Sequence, residues 1–260
     1  MPDISVTLIQ TELLWEDVSA NLKKFDALLD RVPETTDLIV LPEMFNTGFS
    51  MSADSLAEQE DGPTVNWMKK QSARRNAAIT GSVIIEDGAR YYNRLLWVEP
   101  DGIVQHYDKR HLFRMADEHL RYSPGNRCIT PGLKDWNIRP FICYDLRFPA
   151  WSRNLYNVYD LAIYIANWPE RRADHWRTLL KARAVENQAY VVGVNRIGKD
   201  GNGIVYSGDS SVFDPLGNEL AYLENHESVT TVVLDYEKMT TYREKFPVWQ
   251  DSDEFIIKNF

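Results

Sequence analysis

The sequence predicts an α/β fold with mixed sheets, and three features carry that reading. Residues 37–41 and 159–166 are runs of strand length that stay apolar after an initial Asp or Tyr-Asp, as strands buried on both faces do. Amphipathic helical segments follow or precede such runs. Residues 78–109 instead alternate strands with turn signals, which makes an antiparallel meander beside the parallel part. With 260 residues, 44% of them apolar, the chain can bury one large core, and a single domain over residues 1–260 is expected, residues 244–260 forming its C-terminal tail.

Taken in order, residues 4–10 form a strand. Asp17 then caps a helix whose apolar positions Val18, Leu22, Phe25 and Leu29 share one face. The run 37–41 closes a first βαβ unit and ends in Pro42 and Glu43. A second helix opens at Gly62 and Pro63 with Thr64 as its expected cap. Strands at 78–85 and 91–98 are joined through 86–90, and a turn at 100–103 leads into 104–109. Pro and Gly punctuate residues 114–132, which argues for a loop.

The segment 136–142 is a buried strand that stops at Cys143, and Pro149 opens a short helix over 149–155. The strand at 159–166 ends in Asn167, Trp168 and Pro169, and it repeats the pattern of 37–41, which suggests two similar βαβ layers. A helix over 174–188 places Trp176, Leu179, Leu180 and Ala184 on one face, and 189–195 is a strand. Segments 210–214, 219–222 and 228–234 are expected to pair with one another as a second antiparallel set, before a short helix at 236–243. The tail carries Phe246, Trp249, Phe255 and Phe260 without regular spacing, and such an aromatic tail is expected to pack on a partner subunit.

Composition narrows the function. A net charge of −9 gives no general attraction to phosphate backbones or anionic lipid, so nucleic acid is a poor partner. No stretch reaches the roughly 18 apolar residues of a membrane span, and the first residues enter a strand pattern directly; a cytoplasmic protein is expected. Two cysteines make no disulfide framework, and a reducing compartment keeps Cys143 a thiol. Cys128, in a Gly/Pro-rich loop, reads as a small half-buried residue.

Three residues combine into chemistry. A residue at the end of a buried strand, as Cys143 is, can face a crevice together with the N–H of Tyr144. Glu43 holds the corresponding place on its own strand, and Lys109 lies in the charged segment 107–113 that leaves the meander. Alone, each has a bland alternative: a buried hydrophobe for Cys143, a solvated loop charge for the other two. Together they supply a nucleophile, a base and a cation. A thiol of pKa ~8.5 needs such help to attack a carboxamide at neutral pH.

The ordered segments Leu41-Pro-Glu43, Lys109-Arg-His-Leu-Phe113, Ile142-Cys-Tyr-Asp-Leu-Arg-Phe148 and Ala182-Arg-Ala-Val-Glu-Asn-Gln188 resemble the nitrilase, or carbon–nitrogen hydrolase, superfamily essentially end to end. The resemblance implies an α-β-β-α sandwich with two mixed sheets and homodimers or larger assemblies. It also implies hydrolysis of an amide, nitrile or carbamoyl C–N bond without metal or cofactor. Carried onto the matching positions, it makes Glu43 the general base, Lys109 the oxyanion partner and Cys143 the nucleophile. Glu118, seven residues before Gly125, would orient Lys109, and the Tyr144 N–H would share the oxyanion.

Residues 44–50 and 113–118 look most like the ω-amidase branch, whose members act on the terminal amide of short dicarboxylate half-amides and their 2-oxo forms. Phe45, in the first of these segments, is expected at the substrate. A substrate carboxylate needs a cation, for which Arg114 and Arg147 are candidates, with a structural ion pair the competing assignment for each. Asn167 and Trp168 are expected to line the pocket, ordinary core packing being the alternative for Trp168. A nitrilase or N-carbamoyl amidohydrolase, a Cys–His hydrolase using His111, and a non-enzymatic binding module are the rival readings.

Overall fold

A computed structural model describes residues 1–258. The chain opens with β1 (Ile4–Gln10), α1 (Val18–Leu29) and β2 (Leu38–Val40), followed by a single turn α2 (Ala53–Leu56) and α3 (Pro63–Arg75). The meander is β3 (Ala78–Asp87), β4 (Arg90–Val98) and β5 (Val104–Asp108). Next come β6 (Gly132–Leu133), β7 (Trp136–Ile142), the one-turn α4 (Pro149–Ser152) and β8 (Leu161–Ala166). They lead to α5 (Ala173–Asn187), β9 (Tyr190–Asn195) and a small hairpin, β10 (Ile197–Lys199) with β11 (Val205–Ser207). The chain then forms β12 (Ser210–Phe213), β13 (Glu219–Leu223), β14 (Ser228–Leu234) and α6 (Tyr236–Lys245).

Two six-stranded mixed sheets result, ordered β14-β1-β2-β3-β4-β5 and β13-β12-β9-β8-β7-β6. In each, three parallel strands lie at the centre (β1, β2, β3 and β7, β8, β9) with antiparallel strands outside them. The expected repetition of a βαβ layer is therefore present, with β2 and β8 in corresponding places.

Strand alternation assigns the faces. Val6, Leu8, Leu38, Val40, Leu95 and Trp97 point between the sheets, where they share one core with residues of β7, β8 and β9. Tyr107 of β5 meets Phe141 of β7 edge to face at 6.2 Å, and Phe141 stacks on Tyr164 of β8 at 5.0 Å. The intervening Ile9, Ile39, Ile79, Leu96 and Val98 point outward onto Phe25, Leu28 and Leu29 of α1 and Val65 and Met68 of α3. On the far side α5 buries Trp176, Leu180 and Ala184. It sits so close that a Cβ on Gly193 of β9 would lie 2.3 Å from Leu180 Cδ1. The layers are α, β, β, α.

Some expectations are corrected. β14 pairs not with β12 and β13 but with β1, antiparallel over all seven residues from Ile4↔Leu234 to Gln10↔Ser228. Without it β1, with nearly every side chain buried, would be an open edge. Gly62, not Thr64, is the N-cap of α3, with Pro63 at the first helical position; Glu58 takes the Thr64 N–H at 2.7 Å and also its hydroxyl. The helix at 149–155 stops at Ser152 because Arg153 is extended.

In the tail, Val248–Asp251 makes a 3₁₀ turn, Gln188 donates to the Phe246 carbonyl, and Tyr156 donates to Glu254. Phe246, Phe255 and Ile256 are exposed. Phe260 lies outside the described residues.

Candidate active site

Four strand ends converge at one place. Glu43 follows β2, Lys109 follows β5, Cys143 follows β7 and Asn167 follows β8. Glu43 and Glu118 are sealed from solvent and Lys109 is 1% exposed. Such charges must be paired. Lys109 Nζ donates to Glu43 Oε1 at 2.8 Å and lies 3.0 Å from both oxygens of Glu118. The remaining carboxylate lone pairs are also served. Asn93 Nδ2 reaches Glu43 Oε1 at 2.8 Å, the Asn167 N–H donates to Glu43 Oε2 at 2.8 Å, and the Phe113 N–H donates to Glu118 Oε2 at 2.5 Å.

Burial and charge oppose each other in this cluster. Burial alone would push the Lys109 ammonium down, but Glu118 and Glu43 outweigh it and hold the group well above the usual lysine range. For Glu118, burial raises the carboxyl; Lys109 pulls it down and Glu43 pushes it up again, leaving it raised. Burial, reinforced by Glu43, raises the Cys143 thiol well above its ordinary value against the pull of Lys109.

Cys143 adopts φ +44°, a left-handed conformation that costs a side-chain-bearing residue energy. The next residues form a short 3₁₀ helix, Cys143–Arg147, whose first N–H groups, including that of Tyr144, have no preceding turn to bond. Asp145 fastens this elbow. Its carboxylate accepts from the Ile142 N–H at 3.1 Å, the His111 N–H at 3.0 Å and the Tyr107 hydroxyl at 2.7 Å, and Oδ1 lies 2.7 Å from His111 Nδ1.

Cys143 opens on a cavity of about 340 Å³, towards the small end of the roughly 300–1,000 Å³ common for ligand sites. Lys109, Tyr144, Arg147, Asn167 and Trp168 line it, so most residues singled out from the sequence come together there. Three do not. Phe45 turns into the helix-side core, against Phe25 at 5.2 Å and Trp67 at 5.8 Å, and it is Phe49 that faces the cavity. Arg114 is exposed and lines a separate groove. His111 lies on that groove too, stacked on Phe148 at 3.7 Å.

Sequence reasoning missed Asn93, Phe49, Phe113, Arg171 and Arg172. Asn93 could have been found as a lone amide in an apolar strand, Tyr-Tyr-Asn-Arg-Leu-Leu-Trp-Val. Arg171 and Arg172 follow the same strand end as Asn167, where α/β sheets place ligands.

The family model for carbon–nitrogen hydrolases matches residues 5–244. The chain belongs to the carbon–nitrogen hydrolase family. Among carbon–nitrogen hydrolases, it is 52% identical over 260 residues to omega-amidase YafV of Escherichia coli K12, covering 99% of this chain and 100% of that one. It is 32% identical over 251 residues to a 2-oxoglutaramate amidase of Bacillus subtilis, covering 95% and 96%. In structure it resembles XC1258 of Xanthomonas campestris, a CN-hydrolase superfamily protein described with an arsenic adduct in its active site. The TM-score is 0.97 at 44% identity, covering 99% of this chain and 100% of that one. The α-β-β-α architecture and the carbon–nitrogen hydrolase class expected from the sequence are borne out.

Proposed function

We propose that this chain is an ω-amidase that hydrolyses the terminal amide of a short dicarboxylate half-amide, such as succinamate or a 2-oxo analogue, through a thioester on Cys143. One observation carries the proposal. The Cys143 thiol shares a small cavity with an ammonium that is itself clasped by two buried carboxylates. The names of the relatives support the same substrate class.

In the proposed sequence Glu43 accepts the thiol proton as Cys143 Sγ attacks the amide carbon, and the carbonyl electrons move onto oxygen. Lys109 and the Tyr144 N–H stabilise that oxyanion; losing one such donor typically costs roughly 3 kcal/mol of barrier. As the tetrahedral centre collapses, Glu43 returns the proton to the departing nitrogen, ammonia leaves and the thioester remains. Glu43 then takes a proton from water, whose oxygen attacks the thioester; as the C–S bond breaks Glu43 gives that proton to the departing sulfur, which releases the acid and restores the thiol. Glu118 orients Lys109. Arg147, Asn167 and Trp168 contact the substrate. A cytoplasmic protein with two free thiols, dimeric through its exposed aromatic tail, completes the proposal.

The test is ammonia release from succinamate, 2-oxoglutaramate, glutamine, a simple nitrile and a carbamoyl amine, beside a Cys143→Ala control. Release from the half-amides that vanishes in the control is expected. Preference for the nitrile or the carbamoyl amine would move the chain to another branch of the family, and inertness towards all five would favour a binding module.

A further inference from the structure

The cavity carries a charge pattern that the bond-breaking chemistry does not explain. Arg147, Arg171 and Arg172 all line it, in a chain whose net charge is −9. Among the described residues none of the three is paired with a carboxylate. Arg147 lies over the Trp168 ring at 4.8 Å and donates to His175 Nδ1 at 2.9 Å. Arg172 lies over the Phe113 ring at 5.4 Å. Asp200, the one carboxylate among the lining residues, is already engaged: it accepts from the Asn202 and Ile204 N–H groups and from the Tyr206 hydroxyl.

Three guanidiniums gathered without a counter-charge are a standing electrostatic cost. Burial, then Arg171 and Arg147, hold Arg172 below its ordinary value, although a guanidinium keeps its charge at any physiological pH. An anion in the cavity relieves the repulsion, and a carboxylate matches the fork of an arginine.

Of the three, Arg172 is the one built into the site. Arg171 is exposed, and Arg147 is already committed to His175. Arg172 is half-buried and closes the short 3₁₀ turn Glu170–Arg172, and its carbonyl accepts the Trp168 indole N–H at 2.8 Å. Trp168 is itself 3% exposed and packs on Trp176 at 5.4 Å. The same indole thus fixes the backbone of Arg172 and supports the guanidinium of Arg147. Phe113, beneath Arg172, has its N–H bonded to Glu118, which ties the cationic wall to the buried charge cluster.

We propose that Arg172 is the specificity-determining residue that binds the free carboxylate of the substrate, while Arg147 on its Trp168 support flanks the same group. This rests on the ω-amidase reading and names a residue for it. The amide end then lies at Cys143 and the carboxylate end at the arginines, so an amide of similar shape without the acid group loses its anchor.

The test compares kcat/KM for succinamate with that for 4-methylpentanamide, in which an isopropyl group replaces the carboxylate. In wild type succinamate is the better substrate. In Arg172→Gln the succinamate value falls by roughly 10- to 100-fold, mostly through KM, the span that one charge-assisted contact supports. The neutral amide changes by less than about threefold, because it never used the contact. Arg172→Lys, which keeps the charge without the fork, recovers part of the loss and stands in if the neutral variant does not fold. Equal losses on both substrates, or none on either, would overturn the role of Arg172 while leaving the ω-amidase reading intact. A wild type indifferent to the carboxylate would overturn both.

Discussion

Asn167 holds Glu43 twice: its N–H donates to Oε2 at 2.8 Å, and its side-chain Nδ2 donates to the Glu43 backbone carbonyl at 2.7 Å. The two residues are 124 positions apart and belong to different sheets, so this pair stitches the sandwich together at the site. Asn167→Ala leaves the buried carbonyl of Glu43 without a donor, which costs about 1–3 kcal/mol of stability. The Glu43 carboxylate keeps the bond from the residue 167 backbone N–H and loses only the longer Nδ2 contact to Oε2 at 3.5 Å. Urea unfolding should show the lower midpoint, and kcat on succinamate should fall more than KM rises.

Glu43→Gln should separate two roles of one carboxylate. As the general base it contributes roughly 10²- to 10⁴-fold, so kcat should drop by about that factor. Its charge also opposes thiolate formation, and replacing it with an amide lets Lys109 act on the thiol unopposed from that side. The pH profile of Cys143 alkylation should therefore shift to lower pH in the variant that has lost activity. A shift to higher pH would mean that Glu43 does not stand against the thiolate.

Lys109→Met leaves two buried carboxylates facing each other, and breaking a buried ion cluster in this way costs roughly 3–5 kcal/mol. The sign of the pH dependence follows from Glu118, whose carboxyl is raised in the folded protein even with Lys109 present. A raised carboxyl binds its proton more tightly when folded than when unfolded, so it favours folding at low pH, and that contribution is lost as pH rises through the folded value. Removing the ammonium raises Glu118 further. Thermal unfolding of the variant should approach that of wild type on acidification and diverge from it towards neutral pH.

Asp145→Asn tests the elbow. Its carboxylate serves the Ile142 N–H, the Tyr107 hydroxyl and the His111 N–H, and an amide supplies one acceptor atom where the carboxylate supplies two. A buried acceptor is lost, at a cost of about 1.5–3 kcal/mol for a bond to a charged group, and Cys143 is no longer held at φ +44°. kcat should fall accordingly. His111→Gln, which alters a residue outside the Cys143 cavity, should keep kcat within roughly tenfold. Abolition of turnover by His111→Gln would favour a Cys–His mechanism.

Much of the fold was legible because its signals are local. The continuous apolar runs of β2 and β8, the Asp17 cap of α1 and the face of α5 each sit within a few turns or one strand. The position of β14 was not, because its partner is β1; Thr7 and Thr231 meet at 2.7 Å across 224 positions, and no local pattern encodes that pairing. At the site, Glu43, Lys109 and Cys143 stood out because strand ends carry functional groups. Phe45 was misplaced for a specific reason. Met44 takes φ +43°, which breaks the alternation of β2 just where the substrate segment begins, so the inward phenyl became Phe45 and the cavity phenyl Phe49. Arg114 failed similarly: a 3₁₀ turn directs Phe113 and Met115 to the cavity and Arg114 away from it.

The most direct measurement is acyl transfer to hydroxylamine during turnover of succinamate. A thioester on Cys143 gives the hydroxamate in proportion to added hydroxylamine, with no effect on the ammonia released per amide consumed, and Cys143→Ala forms neither product. Ammonia release without hydroxamate, retained by Cys143→Ala, would contradict a covalent route through this cysteine.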